Sequence, residues 1–115
     1  MITPKCSRFA IAIAALLTGY PQISFADGFK SSEFLKWQKE SQRSYFQTSI
    51  GMAGAVVAEN NKKQARCFEN WYVNDMVKAE KHLRGVMAKF PNYHPRGVIL
   101  AVLEKQCGKI KISAR

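Results

Sequence analysis

The stretch Pro95-Arg96-Gly97-Val98-Ile99-Leu100-Ala101-Val102-Leu103-Glu104-Lys105-Gln106-Cys107-Gly108 decides the fold class. Proline holds φ near the helical value and lacks only an N–H that a first turn leaves unpaired anyway, so Pro95 suits the start of a helix. Val98, Ile99, Ala101, Val102 and Leu103 follow at helical spacing, and Cys107 with Gly108 closes the element. The apolar face is nearly continuous, which places this helix at the centre of the fold. No segment of the chain alternates convincingly at period two. Ile110-Lys111-Ile112 leaves open either a short terminal strand or a frayed end.

Moving toward the N-terminus, Asn74 can cap a second helix with Asp75 in its first turn, and Met76, Ala79, Leu83, Val86, Met87 and Phe90 form its stripe until Pro91 ends it. Glu59 to Arg66 is polar without periodicity and reads as a surface loop leading to Cys67. Before it, a first helix is expected over Ser32 to Ala58, opened by the hydroxyls of Ser31 and Ser32 and by Glu33 near its positive end. Phe34, Trp37, Ser41, Tyr45, Thr48, Met52 and Val56 make one stripe, which Phe46, Ile50, Ala53 and Val57 widen. Gly51 and Gly54 each cost up to about 1 kcal/mol in a helix interior, so they imply either the close approach of another backbone or a kink. The fold class is all-α: a small bundle of three to four helices.

Residues 1–26 read as a cleavable leader. Lys5 and Arg8 precede the apolar run Phe9 to Leu17, and Ser24-Phe25-Ala26 places small residues where a signal peptidase reads them. The run is too short to span a bilayer, so no permanent membrane anchor is expected. Cys6 leaves with the leader, and residues 27–115 form one domain. Cys67 and Cys107 are then the two remaining cysteines, and in an oxidising compartment they admit one intramolecular pairing. Closing that loop stabilises a small domain by about 4 kcal/mol.

The whole chain has 115 residues, 18 Lys plus Arg against 8 Asp plus Glu, and 47% hydrophobic residues. Such a composition excludes a disordered polyelectrolyte, and the length excludes a large enzyme with a deep cofactor cleft. Without the leader, 16 basic residues still face 8 acidic ones. Lys62, Lys63 and Arg66 near Trp71 and Tyr72 resemble a nucleic-acid patch, but export argues against that partner, and the remaining cations spread over a solvated surface. His82, among Lys78, Lys81 and Arg84, fits a helix-edge side chain. His94, between Pro91 and Pro95, fits a turn or cap rather than a catalytic base. Neither histidine has metal-ligand spacing to the cysteines, and no glycine-rich phosphate loop is present. No cofactor, metal or enzymatic activity is expected.

Taken in order, Phe34-Leu35 with Trp37, Tyr45, the small-residue helix Gly51 to Val57, Cys67, Phe90-Pro91 and an apolar helix ending in Cys107 resemble the Rap/Tai family of immunity proteins. These are exported helical proteins that neutralise peptidoglycan amidase effectors delivered by type VI secretion. The likeness covers nearly the whole mature domain. It implies a periplasmic, non-catalytic inhibitor with a disulfide at Cys67 and Cys107, often a homodimer, that covers the amidase cleft. Members often carry a proline soon after the first cysteine, whereas here Phe68-Glu69-Asn70 follows Cys67.

The polar stretch from Asn60 through Lys62 to Arg66, together with Trp71 and Tyr72, is the expected partner-binding surface, unless the two aromatics pack beneath that loop. A small periplasmic stress chaperone for unfolded clients is the alternative. A salt-sensitive binder of membrane or cell wall is a third possibility.

Overall fold

The computed structural model describes residues 28–111. The leader with Cys6, and Ile112 of the possible terminal strand, lie outside the described residues. The protein is an all-helical bundle: α1 (Ser31–Phe34), α2 (Lys39–Ala58), α3 (Lys62–Asn74), α4 (Met76–Lys89) and α5 (Pro95–Cys107). Ile110 and Lys111 form no strand.

The expected long first helix is two helices, α1 and α2, with Leu35 to Gln38 between them. The break is held by Gln42, whose buried side-chain NH2 shares its two hydrogens among the carbonyls of Phe34 (3.2 Å), Leu35 (3.3 Å) and Trp37 (3.2 Å). The Phe34 carbonyl also accepts from the Trp37 N–H (3.0 Å), so the backbone between the two helices is held by its own turn as well as by Gln42. The start of α1 is docked as well. Ser31 donates to the Tyr93 carbonyl through both its N–H and its hydroxyl (2.8 Å each), and the Ser32 N–H donates to the Pro91 carbonyl (3.0 Å).

The break also resets the helical phase. The stripe that begins at Phe34 does not continue into the core: Trp37 is 40% exposed and Met52 63%. The inward row of α2 is Gln42, Phe46, Ile50 and Val57. Neither expectation for the glycines holds: α2 runs unbroken through both, and an added Cβ at Gly54 would lie 3.9 Å from the Ala65 carbonyl oxygen of α3, an ordinary contact. Gly51 has open space beside it.

Most of the expected Glu59 to Arg66 loop is helix. Only Glu59 to Asn61 form the turn. Asn61 caps α3 by accepting from the Gln64 N–H (2.9 Å). The charges of Lys62, Lys63 and Arg66 face solvent while Phe68 and Tyr72 turn inward. Asn74 is the last residue of α3 rather than a cap, and Asp75 caps α4 by accepting from the Lys78 N–H (3.2 Å). Ala79, Leu83 and Met87 of α4 are buried, and the helix ends at Lys89, just before Phe90 and Pro91.

The last helix has the bounds its sequence implies, with Pro95 at its start and Gly108 past its end at φ +97°. His94 caps it, its Nδ1 accepting from the Arg96 N–H (3.1 Å). Val98, Ile99, Val102 and Leu103 fill the centre of the bundle against Phe46, Phe68 and Leu83. The disulfide Cys67–Cys107, with Cα atoms 5.8 Å apart, ties α3 to the end of α5. Beside it, the Gln64 side chain donates to the carbonyls of Gly108 (2.8 Å) and Lys109 (3.0 Å). Glu104 accepts from the Ile110 N–H (3.0 Å), so the chain after α5 is folded back onto the bundle.

Candidate functional site

The surface of α3 carries two concavities, one along each edge. The first is a groove of about 460 Å³ between α2 and α3. Its walls are the small residues Gly51, Gly54, Ala55 and Ala65, and its floor is Ile50, Tyr72 and Met76. Gln47, Arg66 and Glu69 bring polar groups to it, and half-exposed Val73 extends the apolar lining. The groove exists because Gly54 and Ala65 keep the wall low where the two helices meet, as a larger side chain at either position would fill it.

The second concavity, about 400 Å³, lies where α3, α4 and α5 meet and is lined by Trp71, Asn74, Asp75, Lys78, Ala79, His82 and Gln106. The Trp71 and His82 rings meet edge to face at 6.3 Å. Trp71 is half-buried, one turn from Cys67, so it is held beside the disulfide.

Tyr72 of the first groove belongs to a polar network in which buried Glu80 meets the exposed Arg43. Glu80 of α4 is only 4% exposed. It accepts two hydrogen bonds from the Arg43 guanidinium (2.8 and 2.9 Å) and one from the Tyr72 hydroxyl (2.6 Å), joining α2, α3 and α4. Burial pushes the Glu80 carboxyl up. The hydrogen bonds from Arg43 and Tyr72, with the charges of Arg43 and Arg84, outweigh that and hold it below the ordinary glutamate range. Burial, then donation to the Glu80 carboxylate, drives the Tyr72 hydroxyl far above the usual phenol range. The Arg43 guanidinium is held more firmly protonated, first by its hydrogen bond to Glu80.

The residues expected at a partner surface are divided by the fold. Arg66 is exposed on the groove, and Trp71 belongs to the other concavity. Asn60, in the turn, and Lys62, the first residue of α3, are exposed but line neither. Of the two alternatives left open for Tyr72, exposed or packed, the structure has it packed: it is 4% exposed, because it lies four residues after Phe68 on the inward row and is fixed by Glu80. Arg43 and Glu80 carried no signal in the sequence, since partners 37 residues apart share no local pattern.

The His82 ring has Trp71 as its aromatic neighbour, and His94 is occupied in capping. Among the described residues no three His, Cys, Asp or Glu side chains gather as a metal ion would need, and no helix is long and apolar enough to cross a membrane. What this arrangement offers is shape and charge: a rigid α3 flanked by an apolar-floored groove and a polar hollow. No protein-family model, curated protein or solved structure matches this chain.

Proposed function

We propose that the protein is a periplasmic binding protein that inhibits a peptidoglycan amidase effector of type VI secretion. One observation carries the reading: the α2–α3 groove joins an apolar floor of Ile50, Tyr72 and Met76 to the opposed charges of Arg66 and Glu69. An apolar centre with a polar rim is how one protein seats an anchor side chain of another and excludes water around it. The scaffold suits tight one-to-one binding, because the disulfide and the Arg43–Glu80–Tyr72 network hold α2, α3, α4 and α5 in one arrangement and little order has to be gained on association. The resemblance in motif order to the Rap/Tai immunity proteins supplies the chemical identity of the partner.

Calorimetric titration of the chain with a type VI amidase effector from its host tests the reading. Ala55→Trp fills the groove from its exposed edge and Arg66→Glu reverses its rim charge. Both variants are expected to keep the parent melting temperature and lose affinity at least about tenfold, the loss of one good interface contact. Parent-like affinity in both variants removes the groove from the reading, and no binding by the parent removes the reading itself.

A chaperone for unfolded clients draws on the exposed Met52, Val77 and Tyr93. It predicts broad suppression of aggregation without fixed stoichiometry.

A further inference from the structure

The fold gathers positive charge where α3 and α5 are joined. Two linkages make that junction: the Cys67–Cys107 bond and the Gln64 side chain on the Gly108 and Lys109 carbonyls. Lys62, Lys63 and Arg66 each lie within two residues of Gln64. Lys105 and Lys109 flank Cys107 at the same distance, and Lys111 follows Lys109 by two. Two residues span at most about 7 Å of chain, so six exposed cations from segments some 40 residues apart share one end of the molecule. Glu69 is the one carboxylate equally close. Glu104, one residue further off, is engaged with the Ile110 N–H. None of the six cations pairs with a described carboxylate.

We propose that this end of the protein is a docking surface for the phosphate-bearing face of an anionic lipid membrane. Five of the six cations are lysines, whose compact hydrated charges suit a diffuse sheet of phosphates. Bidentate recognition of carboxylates on a protein would instead favour the arginine fork. The aromatics at the junction offer no row of free faces for stacked bases: Phe68 is fully buried, and Trp71 is half-buried in the other concavity with its ring against His82. Only Arg66 borders a concavity, so the other five stand free for a flat partner rather than an enclosed anion. The proposal does not depend on the amidase reading: it shares Arg66 with the groove but rests on five lysines that line neither concavity, and it needs no protein partner.

The test is sedimentation of the whole chain with vesicles of phosphatidylglycerol and phosphatidylcholine, against phosphatidylcholine alone, over a range of salt. Each basic residue near an anionic surface strengthens binding roughly fivefold, so Lys63→Glu with Lys109→Glu is expected to weaken it roughly 25-fold or more. Lys36→Glu with Lys39→Glu, at the junction of α1 and α2, makes the same change in net charge far from the patch and is expected to cost several times less. Both pairs are exposed, and equal melting temperatures verify that neither unfolds the chain. Binding should fade as the screening length shrinks from about 10 Å at 0.1 M salt to about 3 Å at 1 M. Equal losses from the two pairs overturn the proposal in favour of net charge alone. No preference for the anionic vesicles overturns it outright, and retention by polyglutamate but not by vesicles reassigns the patch to acidic polypeptides.

Discussion

Replacing both Cys67 and Cys107 by serine removes the covalent link on which the α3–α5 junction rests. The bond closes a loop between residues 40 apart. Chain-entropy reasoning gives about 4 kcal/mol of stabilisation for a loop of that length, exerted mainly by confining the unfolded chain. The serines occupy nearly the same volume, and the Gln64 and Glu104 hydrogen bonds across the junction are untouched, so the native structure should survive below its transition. For a domain of this size each kcal/mol moves the melting temperature by about 4–8 °C, so the double variant should melt roughly 15–30 °C lower. Thermal melting by far-ultraviolet circular dichroism measures the shift. A urea titration supplies an independent sign, because an uncrosslinked unfolded chain exposes more surface and steepens the denaturant slope. A fall of less than about 5 °C with an unchanged slope would mean that the Gln64 clamp and the shared core, not the disulfide, hold the junction.

Tyr72→Phe removes the hydroxyl that donates to the buried Glu80 carboxylate and should cost about 1.5–3 kcal/mol in urea unfolding, as expected for a hydrogen bond to a charged group. The Glu80 carboxyl is lowered in the folded chain, so on acidification the unfolded chain takes up this proton first. The network's contribution is therefore complete above the ordinary glutamate value near about 4.3 and is lost as pH falls through the folded value. Melting temperature against pH should accordingly be flatter on the acid side for Glu80→Gln than for the parent. Leu83→Ala, at a fully buried position, should cost about 2–5 kcal/mol by emptying the centre of the bundle. Gly108→Ala places a side chain at φ +97° and should cost about 1 kcal/mol or somewhat more in the same unfolding assay.

The parts of the fold that were legible in the sequence are those set by local chemistry. Pro95, the apolar run after it and Gly108 mark α5 at both ends, and the spacing of Ala79, Leu83 and Met87 marks α4. The cysteine pair was readable because, once Cys6 is read as part of a leader, two thiols have one way to pair. The errors arose where a distant partner decides. Lys62 to Arg66 is polar enough to pass for a loop, yet the Asn61 cap and the grip of Gln64 on the far end of α5 make it helix. The aromatic stripe from Phe34 looked continuous because its period survives a helix break, whereas the actual phase is reset by Gln42 pairing three carbonyls. At the candidate site, Arg66 could be anticipated from its exposed charge. The groove beside it could not, since it depends on Gly54 of one helix meeting Ala65 of another.

The proposed inhibition is read out by peptidoglycan hydrolysis by a type VI amidase effector of the host, titrated with increasing amounts of the chain. Activity is expected to fall in proportion to added protein and vanish at a fixed molar ratio, with Ala55→Trp unable to reproduce the effect. Hydrolysis that continues undiminished in excess folded protein would rule out inhibition.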